Sequence, residues 1–315
     1  MIAWDRLRVF RAVAEHGSVG AAAAALHITG PAVTQQLRKL EREAGTRLVE
    51  PDGRGIRLTA AGHVLAGHAA VAATAVADAE RDLAALHDDA AGPLRIGSVA
   101  SALRSLLPEV LHALTTRNPR LVPTVDDGEV VDLLPALRSR DLDAVLLESW
   151  TQRPARLPAG VRVTALVTEP AQLAVPAEDP LTGPDPVPLR TLTGRVWASG
   201  PTGTEPYEAL LQLLRGAGAE PDIRYRVGDF ATQLALVRAG LAVALLPAMA
   251  VAGLAVPGGT GPVPAGDDDG VRLLPCRPAV GRSLLLATRE SDAGLPSVRA
   301  LVDGLRAAAA RLGPS

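Results

Sequence analysis

Thr29, Gly30, Pro31, Thr34, Gln35 and Arg38 fall within ten residues of one another, and Arg42 follows one helical turn later. Hydroxyls and an amide can hydrogen-bond base edges and phosphate oxygens, and a guanidinium pairs with phosphate. The set reads nucleic acid if one helix carries it on one exposed face. The flanking pattern supplies that helix. Thr29 can cap it, with Pro31 in the first turn, where a missing N–H costs nothing. Val33, Leu37, Leu40 and Ala44 form a single apolar stripe on the opposite side, and Gly45 can stop it. Ser18 is a good cap for a preceding Ala-rich helix ending near Leu26, and His27 and Ile28 make a tight turn. A helix-turn-helix needs this combination to enter the major groove. An ordinary core hairpin would show the same spacing, so the neighbours decide.

They favour the groove. A helix over Trp4 to His16 offers Leu7, Phe10, Val13 and Ala14 to cover the pair. After Gly45, two short apolar strands flank Asp52-Gly53, a hairpin signal, which makes a wing with Arg54 and Arg57 where phosphates would lie. The whole chain has net charge −2, which by itself argues against nucleic acid. Its distribution argues the other way: residues 1–58 hold nine Lys/Arg against six Asp/Glu, and the remainder 23 against 28. A basic head on an acidic body fits a DNA-binding domain attached to something else.

This stretch resembles the LysR-type transcriptional regulators. The likeness is carried by Leu7 and Phe10, Gly17-Ser18, Ala22-Ala23, Leu26, Pro31-Ala32-Val33, Leu40-Glu41, Gly45, Leu48 and Leu58-Thr59-x-Ala61-Gly62. It implies a winged helix-turn-helix that binds an inverted-repeat operator in double-stranded DNA as a homodimer or homotetramer. It also implies a C-terminal module of periplasmic-binding-protein type that answers a small-molecule effector, and RNA polymerase as a further partner class. Ser18, Thr29, Gly30, Pro31, Thr34, Gln35, Arg38, Arg54 and Arg57 are the expected DNA-contacting residues. Two departures stand out. Thr29-Gly30 occupies the place of the usual Ser-Gln. Val49-Glu50-Pro51 replaces Phe-x-Arg, removing a phosphate-contacting Arg for which Arg54 or Arg57 would substitute.

Thr59 can cap a helix running to about His87, in which Leu65, Ala69, Ala72, Val76, Ala79, Leu83 and Leu86 alternate at spacings of four and three. That is a heptad seam on a rod of roughly 43 Å. A small winged domain cannot bury all of it, so Leu65, Ala72, Val76, Ala79, Leu83 and Leu86 are expected to pair with a second copy. The domains expected are 1–58, a linker helix over 59–91 and an α/β body over 92–315.

In the body, strands and helices alternate from Leu94 onward, which means parallel sheet with crossover helices. Two similar halves are expected, one at about 92–167 plus 271–315, the other at about 168–270. Ligands of open parallel sheets sit at the carboxyl ends of strands. Those ends carry Ser98, Val99, Ala100 and Ser101, then Gly128 and Glu148, then Pro201, Thr202, Gly203 and Thr204, then Asp229, Phe230 and Pro247. These are the expected effector-binding residues. Glu148 would oppose a carboxylate effector unless an Arg neutralises it.

Other classes fit less well. An enzyme on the same module needs a nucleophile or an acid–base pair, and the strand ends offer Asp127, Glu148 and Asp229 with no His or Cys beside them. Cys276 is the only cysteine, so no internal disulfide can form, and a buried inert thiol is expected. The six histidines are scattered and no metal signature occurs; neither cofactor nor metal is expected. The apolar run over 234–256 contains Arg238, Gly240, Pro247 and Gly253. It is read as a helix end, a buried strand and a helix start, not a membrane span. No signal peptide is read near Trp4, Asp5, Arg6 and Arg8, and a cytoplasmic protein is expected.

Overall fold

Apolar stripes three and four residues apart dictate three packed helices at the start of the chain: α1 (Trp4–His16), α2 (Val19–Ala25) and α3 (Gly30–Ala44). The computed structural model describes every residue except Met1, Arg54, 86–88, 182–184, 252–269 and 313–315. The expected wing residue Arg54 and seam residue Leu86 lie outside the described residues, as does His87, the expected helix end. The chain divides into two compact units, Met1–Leu83 and Ala84–Ser315, each taken by itself below.

Gly17 ends α1 in the left-handed conformation, and its N–H returns to the Val13 carbonyl. Ser18 caps α2 by accepting from the Ala21 N–H. His27, with φ +53°, makes the turn, and Thr29 caps α3 by accepting from the Ala32 N–H. Phe10, Val13, Ala22, Val33 and Leu40 are fully buried between the helices. Each large side chain contributes on the order of 2 kcal/mol by leaving water. The hairpin of β1 (Val49–Asp52) and β2 (Gly55–Leu58) pairs Glu50 with Arg57 and Pro51 with Ile56. The Ile56 N–H donates to the Gly17 carbonyl, tying the wing to the end of α1.

The long helix α4 (Ala60–Ala85) begins at a joint that explains the Thr-x-x-Gly spacing. Thr59 Oγ1 donates to the Arg47 carbonyl and accepts from the Gly62 N–H. A Cβ at Gly62 would lie 2.1 Å from the Leu48 carbonyl oxygen, a backbone atom already bonded to the Thr59 N–H. The expected seam is divided along α4. Leu65 packs on the winged core, Ala69 is buried and Ala72 half-buried, whereas Val76, Ala79 and Leu83 are exposed, as are Val64 and Val71 on the adjoining stripe. By length and composition Ala60–Glu80 could also cross a bilayer; in this unit Ala61, Leu65 and Ala66 are instead packed on the winged core.

The second unit alternates strand and helix: β3 (Gly92–Ser98), α5 (Ala100–Ser105), α6 (Leu107–Arg117), β4 (Leu121–Asp127), α7 (Val130–Arg138) and β5 (Ala144–Trp150) make its first half. The sequence pattern over Ala102–Thr116 reads as one helix, but the chain breaks at Leu106. Pro108 in the first turn of α6 has no N–H to continue α5. The 16-residue strand β6 (Val161–Pro176) carries the chain across. There follow β7 (Val187–Pro188), β8 (Val196–Ser199), α8 (Glu205–Gly216), β9 (Asp222–Arg226), α9 (Phe230–Arg238), β10 (Val243–Pro247), α10 (Ala248–Val251), β11 (Val271–Leu274) and β12 (Cys276–Arg277). Then β13 (Val280–Arg289) returns and α11 (Pro296–Leu312) packs on the first half. One sheet has the order β4-β3-β5-β13-β6-β10-β8-β9, with β11 on β6. Three parallel strands at each end are joined through two antiparallel crossing strands. The sequence boundary at 271 falls too early. β11 pairs with residues 173–176 of β6, and Leu274, Cys276 and Val280 lie in the core of the second half. The return crossing is β13 itself.

Gly62→Ala should destabilise the winged unit by about 3 kcal/mol, because a backbone carbonyl has to move. Gly67→Ala, where a Cβ meets nothing within 4 Å, should stabilise α4 by roughly 0.5–1 kcal/mol. Thermal unfolding of the two variants beside the parent checks the contrast.

Candidate functional sites

The first site is the outer face of α3. Val33, Leu37 and Leu40 turn inward, so the 3.6-residue period turns Pro31, Thr34, Gln35, Arg38, Lys39 and Arg42 outward, where they border one shallow surface groove. Three other arginines of the unit are neutralised by carboxylates. Arg6 is held by Glu43 at 2.6 Å, Arg11 by Glu15 at 2.6 Å and Arg57 by Glu50 at 2.6 Å. Among the described residues Arg38, Lys39 and Arg42 pair with no carboxylate; Arg42 Nε donates only to the Arg38 carbonyl. Their charge remains available to an external anion. Glu41, on the other flank, faces inward and accepts from the Leu48 and Val49 N–H groups.

The expected residues take distinct places here. Ser18 and Thr29 are capping hydroxyls, and Thr34 Oγ1 donates to the Gly30 carbonyl at 3.1 Å. Gly30 is not glycine for want of room, since a Cβ there would meet only Val19 at 3.9 Å. Its missing side chain leaves the start of α3 bare. Arg57 pairs with its cross-strand neighbour Glu50 and would have to exchange that partner for phosphate to replace the wing arginine.

The second site is a cavity of about 150 Å³ between the two halves of the second unit. Val99, Ala100 and Ser101 after β3, Asp127, Gly128 and Glu129 after β4, and Glu148 on β5 supply one wall. Pro206 in α8 and Gly228, Asp229 and Phe230 at the start of α9 supply the other. Of the thirteen expected residues, Val99, Ala100, Ser101, Gly128, Glu148, Asp229 and Phe230 meet here. Ser98 is buried beside them, its hydroxyl turned to the Val99 carbonyl. Thr202 and Gly203 are exposed and Pro201 half-buried in a turn outside the lining. Thr204 Oγ1 closes that turn by donating to the Pro201 carbonyl. Pro247 is buried in β10, against Ala171 of β6.

Beneath the lining lies a group that the strand-end pattern does not reveal. Arg282 of β13 is fully buried. Its Nη1 donates to Ser101 Oγ at 2.7 Å and to Glu148 Oε2 at 3.1 Å. Its Nε and Nη2 both donate to Glu169 Oε1, the former at 3.0 Å. The other Glu169 oxygen accepts the Met249 N–H at 2.5 Å. The guanidinium stands 5.6 Å from the centroid of the Phe230 ring. The arginine needed to neutralise Glu148 is therefore present, but Glu169 shares it. Sequence did hold a signal: Glu169 and Arg282 are charges inside strands that are otherwise largely apolar, away from the end positions taken by Arg162 and Arg289.

Two ion pairs cross between the halves: Arg104 with Asp229 at 2.6 Å, and Arg153 with Glu205 at 3.4 Å. Burial pushes the Asp229 carboxyl upward, but hydrogen bonds from Arg104 and Thr232 outweigh it and hold it below its ordinary value. Burial raises Glu205, with Arg153 only partly offsetting it. Burial, reinforced by Glu148, Asp127 and Asp132, pushes Glu129 up to about 7. Cys276 is buried away from the cavity, and burial pushes its thiol up to about 11, an unreactive setting. Among the described residues no cluster of three or more His, Cys, Asp or Glu could hold a metal ion.

Comparison with known proteins divides the chain along the same lines. Residues 4–63 match the family model described as bacterial regulatory helix-turn-helix protein, lysR family, and residues 87–310 match the LysR substrate binding domain. The chain is 33% identical over 246 residues to the HTH-type transcriptional regulator YnfL of Escherichia coli K12, covering 77% of this chain and 81% of that one. It is 28% identical over 297 residues to the transcriptional dual regulator OxyR of the same organism, covering 94% and 92%. In fold it is similar to full-length CbnR in complex with its target DNA, with TM-score 0.66, 24% identity and coverage of 98% and 100%. It is also similar to a probable transcriptional regulator from Pseudomonas aeruginosa, with TM-score 0.72, 18% identity and coverage of 97% of each chain.

The Glu129 carboxyl yields a pH prediction. Its folded value, about 7, lies above the ordinary 4.5, so the folded protein keeps a proton that the unfolded chain releases. The resulting stability is fully present below 4.5 and is lost as pH rises through 7. Each unit of displacement is worth about 1.4 kcal/mol when fully desolvated, and the solvent still reaching Glu129 reduces this. Glu129→Gln should therefore be about 1–2 kcal/mol more stable than the parent at pH 8, and should lose that advantage near pH 4.5. Thermal melts of both proteins across this range check it.

Proposed function

We propose, because the chain belongs to the LysR family of bacterial helix-turn-helix regulators, that α3 is the element it lays in the major groove of its operator. The protein is a DNA-binding transcriptional regulator with an effector-binding domain. The observation that carries the placement of α3 is its unpaired cationic face, Arg38, Lys39 and Arg42, beside Gln35 and Thr34. In this reading Arg38 and Arg42 grip phosphates, and Gln35 and Thr34 reach base edges. Ser18, Thr29 and Pro31 position the helix ends against the backbone. With Gly30 bare and Arg57 neutralised, base preference at the start of α3 is set by fewer side chains than in relatives with Ser-Gln there.

The exposed apolar end of α4, through Val76, Ala79 and Leu83, is the surface expected to meet a second copy. CbnR is described with its target DNA; here the corresponding act would be a dimer or tetramer on an inverted repeat, with RNA polymerase as the responding partner. In this reading the protein acts in the cytoplasm, where its operator lies. The cavity between the halves is the effector site in this reading, and it works by binding alone: its lining holds carboxylates and a serine but no histidine or cysteine.

Arg38→Ala should weaken operator binding on all sequences and lower the slope of log affinity against log salt by about one unit. A gel-shift titration at several salt concentrations measures both; an unchanged slope would remove α3 from the interface. Leu83→Asp should place a charge against its symmetry mate, at a cost of several kcal/mol. Sedimentation should then show monomers or weakened dimers, and an unchanged assembly would place the contact elsewhere.

A further inference from the structure

The effector cavity carries more information than its location. We propose, resting on the reading of this cavity as the effector site, that its ligand is a small organic cation, an amine or a guanidine. The cationic side chains near the cavity are already committed. Every nitrogen of Arg282 is engaged by Glu148, Glu169 or Ser101, and Arg104 is held by Asp229. A carboxylate ligand would find no unpaired guanidinium in the lining. It would face Asp127 and Glu129, neither of which pairs with a cation among the described residues, and Glu148, which shares its arginine.

Geometry gives the same answer independently. Glu129 belongs to the first half, yet its Oε1 lies 2.9 Å from where a Cβ would stand on Gly228 of the second half. A side chain on Gly228 would displace the end of this carboxylate from its place between the halves. Burial and the neighbouring carboxylates raise the proton affinity of Glu129; the part due to Glu148, Asp127 and Asp132 is repulsion that a bound cation would also relieve. A metal ion is the less suitable occupant, since no donor cluster close enough to hold one occurs among the described residues. Val99, Pro206 and Phe230 supply apolar lining. At about 30 Å³ per water-sized group, the volume of about 150 Å³ admits roughly five heavy atoms. A short alkylammonium or a methylated guanidine has that size.

The test uses the full chain at pH 8 and constant ionic strength. Isothermal titration is run with n-butylammonium chloride, methylguanidinium chloride and sodium butyrate, with sodium chloride as the blank. The expected result is saturable binding of one or both organic cations and none of butyrate. Glu129→Gln and Asp127→Asn should each weaken cation binding at least tenfold while melting no earlier than the parent. Gly228→Leu, which fills the cavity, should abolish it. Absence of saturable cation binding overturns the proposal, as do variants that bind cations like the parent. Saturable butyrate binding that Gly228→Leu removes would also overturn it, while leaving the cavity as the effector site. Operator binding in the gel shift resides in the other unit and judges the regulator reading separately.

Discussion

A guanidinium sealed from water must receive its partners from the fold, and Arg282 takes them from elements of both halves of the second unit. Ser101 lies in the first turn of α5, Glu148 in the last half of β5 and Glu169 midway along β6, while the Phe230 ring opens α9. Isolated in a protein interior, any one of these charges costs several kcal/mol. Together they fix the register at which β13 passes between β5 and β6. That register decides where the halves meet, and it sets the cavity directly above the guanidinium. A second buried arginine on the same strand, Arg289, is bound at the far end by Asp143, Asp292 and the carbonyls of Leu137 and Leu142. β13 is thus pinned by charge at one point inside the first half and at another on the boundary with the second.

The winged unit solves the opposite problem, keeping charge unpaired where it is needed. Three of its carboxylates absorb Arg6, Arg11 and Arg57, and Glu41 is turned inward to bind backbone N–H groups. What remains on the outer face of α3 is cationic because no acid was left within reach of it. Surface pairs of this kind add little stability, roughly 0–1 kcal/mol each. Their effect here is on the shape of the field, which is concentrated on one helix face.

How far this could be read from sequence depended on the range of the interactions involved. Local rules located the caps at Ser18 and Thr29, the stripe from Val33 to Ala44 and the hairpin around Gly53, because each is settled within one or two turns of chain. The strand-end rule found seven lining residues for the same reason: it asks only where strands stop. It also named Thr202 and Gly203, which end a strand but turn away from the gap, and it could not find Arg282 or Glu169. Those two meet across 113 residues of sequence, and nothing local says which strand lies beside which. The late return crossing has the same origin. β11 looks like the start of the crossing until its partner on β6 is known. The pairing of Arg57 with Glu50 follows from hairpin register alone, and was within reach of the sequence.

The forces across the cavity are unequal, and this bears on how a ligand could move the halves. The pair Arg104–Asp229 bridges them, but both side chains are about 40% exposed, so the link is weak. Repulsion between Glu129 and Glu148 acts within the first half, along one wall of the gap, and is weakened when Glu129 takes up a proton. A ligand changes such a balance only by binding one arrangement better than the other. Positive charge between Glu129 and the wall formed by Gly228 and Asp229 would relieve the repulsion while contacting both halves at once. A ligand held by one half alone would favour neither arrangement of the two, however tightly it bound. The charge placed at the mouth of the cavity, more than its volume, therefore determines which ligands can act as signals and which could only occupy space.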